Sequence, residues 1–421
     1  MTVTYKSDFL NVLSERGFIH QMTDTAALDA ALCKGPVTGY CGLEPTATSL
    51  HVGHLFPIML MRWFQRTGNK PIMLVGGATA KIGDPSFKDE TRKLLSEETI
   101  AKNIEGILKN YRQFIDFGTG KARLVNNADW LDKLNYIEFL RDVGVHYSVN
   151  RMLAMDSVRI RLEREQNMSF IEFNYMLMQG YDFVKLHDDY GCTLQMSGSD
   201  QWGNVVSGIE LGRRMKGQEL FGLTTPLLTN ADGSKMGKTA GGAIWVSADH
   251  LPPYDYYQFW RNTADADVAQ RLAVFTELPM DEVKKLSALK GSEINEAKKI
   301  LAFEATKLCH GEAVAHAAAE TARQTFEEGT TEGLERVVAF VGDVIVDILV
   351  TNSFAESKSK AKSLIKGGGV KINDVVVTDE QRKISEDDFR IAGGTFKLSA
   401  GKKRHILIEV HAPKSTIKPM V

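Results

Sequence analysis

The chain has 421 residues, of which 43% are hydrophobic and 25% are charged, and its formal net charge is −2. This length predicts two to four domains, at roughly 150 residues per domain. The composition excludes disordered, collagen-like and coiled-coil proteins, and the small net charge does not indicate that the whole chain binds nucleic acid.

The first half of the chain predicts an α/β domain. Residues 1–32 have helical apolar spacing, and residues 37–42 predict a short strand. A helix over 51–66 and a strand at 71–75 complete a strand–helix–strand unit with parallel strands. Further predicted elements are a helix at 94–115, a strand at 122–126, mostly helical segments at 131–189 and a strand at 192–196. Ligands of such sheets bind beyond the carboxyl ends of the strands.

The second half predicts helices followed by a small basic module. Residues 250–325 have only helical patterns, and Gly329 and Gly333 predict a hinge. From residue 351 onward there are 14 basic and 8 acidic residues, whereas the rest of the chain has 37 and 45. A basic appendage on an acidic body is typical of contact with a polyanion, and chance fluctuation in a lysine-rich tail is the alternative. Its pattern predicts a helix and a hairpin.

The cysteines and the apolar runs indicate the cellular compartment in which the protein is expected. Four scattered cysteines in a chain this long do not form a disulfide scaffold, and none has zinc-site or redox spacing. The N-terminus lacks the pattern of a signal or transit peptide. No segment approaches the run of about 18 apolar residues that a membrane span requires. We therefore expect a cytoplasmic protein with no membrane partner and no protein-bound metal.

The sharpest motif is His51-Val52-Gly53-His54, placed where a loop enters a helix. The two histidines are three residues apart and share one face of the first turn, where unpaired N–H groups suit phosphate. Gly53 leaves room for a planar group against the backbone. A zinc pair or two surface histidines are the alternatives, but no further zinc ligands lie nearby.

A second motif is a glycine-rich segment at 233–239 that contains Lys235 and Lys238. Two lysines three residues apart in such a loop can bind a triphosphate while remaining mobile. The segment lacks the spacing of a Walker loop. Taken alone, an exposed basic loop is the more common interpretation.

Together these motifs resemble the two signatures of the class I aminoacyl-tRNA synthetases. Residues 40–47, 76–86 and 199–204 narrow the resemblance to the bacterial-type tyrosyl-tRNA synthetases, over about residues 5–410. The resemblance implies a Rossmann-like parallel-sheet catalytic domain, an α-helical domain and a small α+β RNA-binding domain. The expected bounds are 1–247 (with a dimerising insertion at about 131–165 and a mobile lysine loop at 233–240), 248–328 for the helical anticodon-side domain, 329–350 for a linker and 351–421 for the RNA-binding domain.

The helix predicted around residues 170–184 has a polar stripe formed by Tyr175, Gln179 and Asp182. Their spacing places them on one helical face, and the pattern alone favours a solvent-exposed side. The resemblance implies instead that they line the tyrosine pocket. In that pocket Tyr40 and Asp182 would bind the phenol, Asp84, Tyr175 and Gln179 would bind the ammonium group, and Gln201 would also contact tyrosine.

The resemblance also implies the ATP site and the reaction. The ATP-binding residues would be Cys41, Gly42, Gly53, His54, Asp200 and Lys238. The catalytic residues would be Thr46, His51, His54, Lys88, Arg92, Lys235 and Lys238. The tyrosine carboxylate would attack the α-phosphate of ATP, accompanied by Mg²⁺, to give tyrosyl-adenylate and pyrophosphate, and tyrosine would then pass to tRNA(Tyr). Positioning and charge stabilisation would supply the catalysis.

The remaining expectations concern partners, departures and rival functions. The resemblance implies a homodimer and phosphate contacts by the tail lysines Lys358, Lys360, Lys362, Lys366 and Lys371. Glu44 stands where relatives usually have Asp. Three rivals remain open: a tryptophanyl-tRNA synthetase, an RNA-binding relative of the splicing-helper type, and a small nucleotidylyltransferase.

Overall fold

The computed structural model describes residues 4–84, 95–230, 233, 236–239, 242–326, 336–373, 375–385, 388, 395–401 and 404–411. The chain divides into two compact units. The first comprises residues 1–237 and 243–315, and the second comprises residues 238–242 and 316–421.

The first unit is built on a six-stranded sheet. Its strands are β1 (Gln21–Met22), β2 (Thr38–Leu43), β3 (Lys70–Val75), β4 (Arg123–Asn126), β5 (Cys192–Gly198) and β6 (Phe221–Thr225). They lie in the order β1-β6-β5-β2-β3-β4, and every pair is parallel except β1 with β6. From β2 the chain adds β3 and β4 on one side and then β5 and β6 on the other. The carboxyl ends of β2 and β5 therefore form a topological switch point, the usual ligand site of an open α/β sheet.

Fifteen helices are assigned to the described residues from 8 to 326. They are α1 (Asp8–Arg16), α2 (Thr25–Lys34), α3 (Leu55–Arg66), α4 (Glu97–Phe114), α5 (Ala128–Leu131), α6 (Tyr136–Asp142), α7 (Val149–Leu153), α8 (Asp156–Glu163), α9 (Phe170–Tyr190), α10 (Trp202–Lys216), α11 (Pro253–Arg261), α12 (Val268–Phe275), α13 (Met280–Ser287), α14 (Ile294–His310) and α15 (Glu312–Phe326). Two further short strands are β7 (Lys238–Thr239) and β8 (Gly242–Ala243).

The strand–helix–strand unit predicted at the start of the sheet is present as β2, α3 and β3. The residues of β3 from Pro71 to Val75 are all buried, which fits a strand inside a parallel sheet. Helix α3 buries eight of its twelve residues, among them Phe56, Trp63 and Phe64. The strand β6 was not predicted, although all five of its residues are buried.

The helices from α11 to α14 do not form a separate compact unit, in contrast to the predicted boundary at residue 248. Residues 243–315 belong to the same unit as the sheet, with α12 packed on α3 and α14 on α4. Arg16 shows how closely the parts are joined. Its guanidinium donates hydrogen bonds to the carbonyl oxygens of Ala273 (2.8 Å), Thr276 (3.0 Å) and Leu278 (2.6 Å).

Among its described residues, the second unit contains a five-stranded sheet, two helices after residue 336 and the part of α15 from residue 316 onward. Its elements are β9 (Arg336–Phe340), α16 (Ile345–Thr351), α17 (Lys358–Lys366), β10 (Val370–Ile372), β11 (Val375–Val376), β12 (Thr395–Ala400) and β13 (Arg404–His411). The strand order is β11-β10-β12-β13-β9, and only β9 and β13 are parallel. The predicted helix and hairpin correspond to α17 with β10 and β11.

The predicted linker at 329–350 is corrected by this sheet. Strand β9 pairs with β13 near the end of the chain, and Ala339, Ile345 and Leu349 are buried in the core of the unit. The unit therefore includes residues before 351, the predicted start of the module. The predicted hinge at 329–333 lies outside the described residues.

Among the helices that the structure describes, none combines the length and the apolar character that a membrane crossing requires.

Candidate active site

A carboxylate is fixed deep in the first unit at the position predicted for phenol recognition. Asp182 on α9 is 2% exposed. Its Oδ1 accepts a hydrogen bond from Trp130 Nε1 at 2.8 Å, and its Oδ2 accepts one from Asn127 Nδ2 at 3.0 Å. Burial raises the pKa of Asp182 to about 7, although both hydrogen bonds act in the opposite direction. The side chain is held in one orientation by residues that follow β4.

Asn127 is itself fixed by the loop after β3. Its N–H donates to the carbonyl oxygen of Val75 at 3.0 Å, and its Oδ1 accepts from the N–H of Ala78 at 2.9 Å. Its Nδ2 also donates to Thr79 Oγ1 at 3.1 Å. The carboxyl end of β3 and the turn that follows it therefore fix Asn127, one of the two residues that orient the Asp182 carboxylate.

The hydroxyl of Tyr40 lies next to this arrangement without a bond of its own. Tyr40 is on β2 and 1% exposed, and its hydroxyl has no hydrogen-bond partner among the described residues. Burial, and then the charge of Asp182, raise the pKa of Tyr40 well above its usual range. Since buried polar groups in native proteins are nearly always paired, this hydroxyl is suited to a ligand hydroxyl.

Asp84 and Gln179, two residues predicted for the ammonium group, form a second polar group with Gln201, which was predicted to contact tyrosine. Gln201 Nε2 donates to Asp84 Oδ2 at 2.8 Å, and Gln179 Nε2 donates to Gln201 Oε1 at 3.5 Å. Asn204 Nδ2 donates to the same Gln201 oxygen at 3.0 Å. The Oε1 of Gln179 is buried and has no partner among the described residues. A carboxylate and a buried amide oxygen together suit a ligand cation.

Tyr175 joins this group to Glu44, the residue where the sequence departs from the family pattern. Tyr175 is buried and hydrogen-bonds to Glu44. Burial, followed by the charges of Glu44 and Asp84, raises the pKa of Tyr175 well above its usual range. Glycine at 76 leaves room for Thr79, because a Cβ there would lie 2.4 Å from Thr79 Oγ1, whereas its distance of 3.5 Å from Glu44 Cγ would be an ordinary contact. Glu44 therefore contacts Tyr175, one of the residues predicted to bind tyrosine.

The His-x-Gly-His segment forms a short 3₁₀ turn, Val52–His54, immediately before α3. Nδ1 of His51 accepts a hydrogen bond from the Gly53 N–H at 3.1 Å, and Nδ1 of His54 accepts one from the His51 N–H at 3.2 Å. The ring centroids are 3.9 Å apart. Burial and the neighbouring His51 lower the pKa of His54 to about 3. With Nδ1 accepting, the proton of a neutral ring is on Nε2, where it can be donated.

Backbone contacts join this turn to the segment that contains the lysines. A Cβ on Gly53 would lie 2.8 Å from His51 Cε1 and 3.3 Å from the carbonyl oxygen of Met236. Gly237 has φ of +87°, and a Cβ there would lie 3.0 Å from the Gly53 nitrogen. Only glycine fits either position, so the two predicted motifs meet through their main chains.

Part of the predicted cation set cannot be placed. Lys88, Arg92 and Lys235 lie outside the described residues, and the side chain of Lys238 is not described.

The carboxyl ends of β2 and β5 contain the other predicted nucleotide-binding residues. Cys41 is buried, and burial raises the pKa of its thiol to about 12, so the thiol stays protonated. Gly42 and Thr46 are exposed. Asp200 lies in a 3₁₀ turn after β5, and a Cβ on Gly198 would be 2.5 Å from Asp200 Oδ1. A thiol donor, an open glycine and a carboxylate thus occur at the two central strands.

The predicted RNA-binding lysines lie on α17 and β10 of the second unit. Lys358 forms an ion pair with Asp347 at 2.7 Å, and Lys366 forms one with Glu380 at 3.0 Å. Lys360 and Lys371 are exposed, and no ion pair is found for them among the described residues. Lys362 is half-buried. All five lie on one small unit, and their electrostatic surroundings differ.

No group of three or more His, Cys, Asp or Glu side chains that could hold a metal ion is found in the described part of the chain.

Sequence reasoning missed the roles of Asn127 and Trp130 in holding Asp182. Their position directly after a predicted strand was the only available signal.

Comparisons with known proteins cover both units. A family model described as "tRNA synthetases class I (W and Y)" matches residues 33–327, and one described as "Tyrosine--tRNA ligase SYY-like C-terminal domain" matches residues 328–408. The chain is 54% identical to the tyrosine--tRNA ligase of Xanthobacter autotrophicus over 414 residues, which cover 97% of this chain and 99% of the relative. It is 55% identical to that of Rhodopseudomonas palustris over 415 residues, covering 96% and 99%.

Among solved structures, the chain is similar to a C-terminally truncated mitochondrial tyrosyl-tRNA synthetase of Aspergillus nidulans. The TM-score is 0.69 at 31% identity, over 76% of this chain and 94% of that one. A tyrosyl-tRNA synthetase of Archaeoglobus fulgidus, in complex with L-tyrosine, has a TM-score of 0.54 at 18% identity, over 74% of this chain and 100% of that one, and shares the fold.

Proposed function

The chain belongs to the class I tRNA synthetases of the tryptophan and tyrosine family. From this premise we propose which residues carry out each step of joining tyrosine to tRNA. It is a tyrosine–tRNA ligase: it activates L-tyrosine with ATP and then transfers tyrosine to tRNA(Tyr). The assignment of individual residues to these steps is our proposal.

The base of the pocket would recognise the phenol through Tyr40 and Asp182. The supporting observation is the buried Tyr40 hydroxyl without a partner beside a carboxylate whose two oxygens are already held by Asn127 and Trp130. A substrate phenol would donate to the carboxylate and bond with the Tyr40 hydroxyl. Phenylalanine would leave the Tyr40 hydroxyl unpaired, at a cost of about 1–3 kcal/mol, and would give Asp182 no donor beyond Asn127 and Trp130. The pocket therefore favours tyrosine through polar groups that only a phenol satisfies.

The ammonium group of tyrosine would lie against Asp84, Gln179 and Gln201. Their hydrogen bonds to one another fix the acceptor atoms before substrate arrives, which reduces the ordering cost of binding. Tyr175 completes this side, held by Glu44. The substrate carboxylate is thereby left to face the nucleotide.

The nucleotide would bind at the switch point formed by β2 and β5. Cys41 and Asp200 would contact the ribose, and Gly42 and Gly53 would leave room for the adenosine. Thr46, His51 and His54 would bind phosphate oxygens, with the histidines donating from Nε2. Lys88, Arg92, Lys235 and Lys238 would neutralise the pyrophosphate. Mg²⁺ would arrive with ATP and be held mainly by its phosphates.

The first step would be an in-line attack of the tyrosine carboxylate on the α-phosphorus, with the bond to the bridging oxygen of pyrophosphate breaking. The nucleophile is already an anion, so no general base is required. The histidines and the cations would stabilise the charge that develops on the leaving group, and the fixed tyrosine pocket would supply positioning.

A dimer would form through the insertion at about 131–165 and the start of α9. The support is a set of large apolar side chains exposed there, namely Tyr136 at 57%, Ile137 at 70%, Val145 at 72%, Val149 at 60% and Phe170 at 66%. Such exposure is typical of a protein–protein interface.

The second unit would bind tRNA phosphates through Lys358, Lys360, Lys362, Lys366 and Lys371, and the enzyme would act in the cytoplasm.

The proposal is tested by ATP–pyrophosphate exchange with tyrosine, phenylalanine and tryptophan in parallel, at equal enzyme concentrations. Exchange with tyrosine alone is expected, and charging of tRNA(Tyr) is then measured with the same preparation. Exchange with tryptophan would contradict the pocket assignment. Absence of exchange with all three would instead favour an RNA-binding relative.

A further inference from the structure

Arg271 on α12 is a buried cation outside the substrate site described above. It is 3% exposed. Its Nη2 donates to Asn230 Oδ1 at 2.9 Å and to the carbonyl oxygen of Thr229 at 3.3 Å, and its Nη1 contacts the sulfur of Met236. Asp267, one helical turn earlier, lies 3.9 Å from Nη2. The guanidinium therefore contacts residues before Lys235, at Thr229 and Asn230, and the residue directly after it, Met236.

The burial of this side chain requires an explanation, because removing a charge from water is costly unless close partners replace the solvent. The one carboxylate found within ion-pair distance of Arg271 among the described residues is that of Asp267, at 3.9 Å, which is more distant than a hydrogen bond. The close partners are instead a side-chain amide, a carbonyl oxygen and a thioether. If Arg271 stabilised only α12, it would not need hydrogen-bond acceptors from Thr229 and Asn230 or a contact with Met236.

Met236 continues the connection to the histidine turn. It is 4% exposed, and its N–H donates to the carbonyl oxygen of Leu228 at 3.3 Å. Its carbonyl oxygen and the following Gly237 lie against the backbone of Gly53. In addition, Ile244 accepts from the Val52 N–H at 2.9 Å and donates to Gly237 at 3.1 Å. Arg271 is thus one residue away from the contact between the two motifs.

We infer that Arg271 is a positioning residue for tyrosine activation, which fixes Asn230 and Met236 so that the lysine segment meets Gly53 in one register. This inference rests on the role proposed for Lys235 and Lys238 in the function above. Arg271 has no contact with substrate in this account and acts through the backbone on either side of Lys235. A small displacement of a catalytic group from its productive position can reduce the rate by about 10²-fold.

The test compares Arg271→Met with Arg16→Met in tyrosine-dependent pyrophosphate exchange. Arg16 is a matched control, since it is also buried and also bonds to α12 and the residues after it, through Ala273 and Thr276, but not to residues 229–237. Arg271→Met should lower kcat by about 10- to 100-fold while tyrosine affinity changes by less than about twofold. Arg16→Met should lower the thermal midpoint with kcat within about twofold of the unchanged enzyme.

Two further variants complete the design. Arg271→Lys, which keeps the charge but loses the forked geometry, should recover part of kcat. Asn230→Ala, at a half-buried site, should reproduce part of the loss if Arg271→Met fails to fold. Equal kcat for Arg271→Met and Arg16→Met would overturn the inference, as would an unchanged kcat in Asn230→Ala. The proposed function is tested separately by Lys235→Ala and Lys238→Ala: if these keep full exchange, the lysine roles are wrong, whatever Arg271 does.

Discussion

The pocket base around Asp182 and the basic helix α17 both present polar groups to a proposed substrate, but they are built in opposite ways. In the pocket, Asp182 and Tyr40 are almost fully buried, and bonds from Asn127 and Trp130 fix the carboxylate. On α17, three of the four predicted lysines are exposed, and two of them pair with carboxylates. Buried groups of fixed geometry can distinguish one hydroxyl, whereas solvated charges select only for a polyanion and depend on salt.

The largest expected effect comes from removing the carboxylate. Asp182→Ala leaves Trp130 Nε1, Asn127 Nδ2 and the substrate phenol without the acceptor that the buried carboxylate provides. At about 1–3 kcal/mol per buried unpaired group, tyrosine-dependent exchange should fall by about 10³-fold or more. Asp189→Ala on the same helix is the control, because Asp189 only pairs with Lys185 near the surface. Near-normal turnover by Asp182→Ala would refute the pocket assignment.

A smaller effect is expected at the histidine turn, which acts on the phosphates. His51→Ala removes one donor to the transferring group, which should reduce adenylate formation by about 10²-fold. Tyrosine affinity, measured without ATP, should change by less than about twofold. A loss found mainly in tyrosine affinity would assign His51 to the amino-acid pocket instead.

Tyrosine binding should also depend on pH through Asp182. Burial raises its pKa to about 7 in the folded protein. Because the folded protein holds the proton of Asp182 more tightly than the unfolded chain does, this residue contributes to the free energy of unfolding at acidic pH. That contribution is lost as the pH rises through about 7. Binding changes in the other direction, because the ionised carboxylate accepts a hydrogen bond from the phenol. We expect tyrosine to bind about tenfold more weakly at pH 6 than at pH 8 in calorimetry without ATP, and Asp182→Asn to abolish this slope.

The smallest effects are expected on the basic helix, and they should differ between its lysines. Lys360→Met and Lys371→Met should each raise the KM for tRNA by about threefold and reduce its salt dependence. Lys358→Met and Lys366→Met should have weaker effects, since Asp347 and Glu380 already balance those charges. Pyrophosphate exchange without tRNA should be unchanged in all four. Equal KM changes in the four variants would show that the ion pairs are irrelevant to tRNA binding.

The sequence predicted the first sheet best where its signals were local. The unit of β2, α3 and β3 follows from short apolar runs and a helix between them. By contrast, β9 pairs with β13 across about 70 residues, and no local pattern in β9 indicates that partner. Residues 336–350 were therefore placed in a linker, whereas the sheet and the family model at 328–408 include them.

The same difference applies to the site. Spacing placed Tyr175, Gln179 and Asp182 on one face of α9, and periodicity alone favoured a solvent-exposed position for that face. The burial of Tyr175 and Asp182 excludes the solvent-exposed position. Trp130 and Asn127 are more than 50 residues from Asp182. Arg271 contacts Asn230 and Met236 from a helix more than 30 residues later. Contacts of this range depend on the fold, so only the motifs themselves could be identified in advance.

The central claim is that the Tyr40 hydroxyl and the Asp182 carboxylate read the substrate phenol. It is tested most directly by the ratio of kcat/KM for tyrosine to that for phenylalanine in pyrophosphate exchange, compared between the unchanged enzyme and Tyr40→Phe. The account predicts that the ratio falls by about tenfold or more, mainly through a lower kcat/KM for tyrosine. An unchanged ratio would contradict it, because the buried hydroxyl would then have no part in choosing the amino acid.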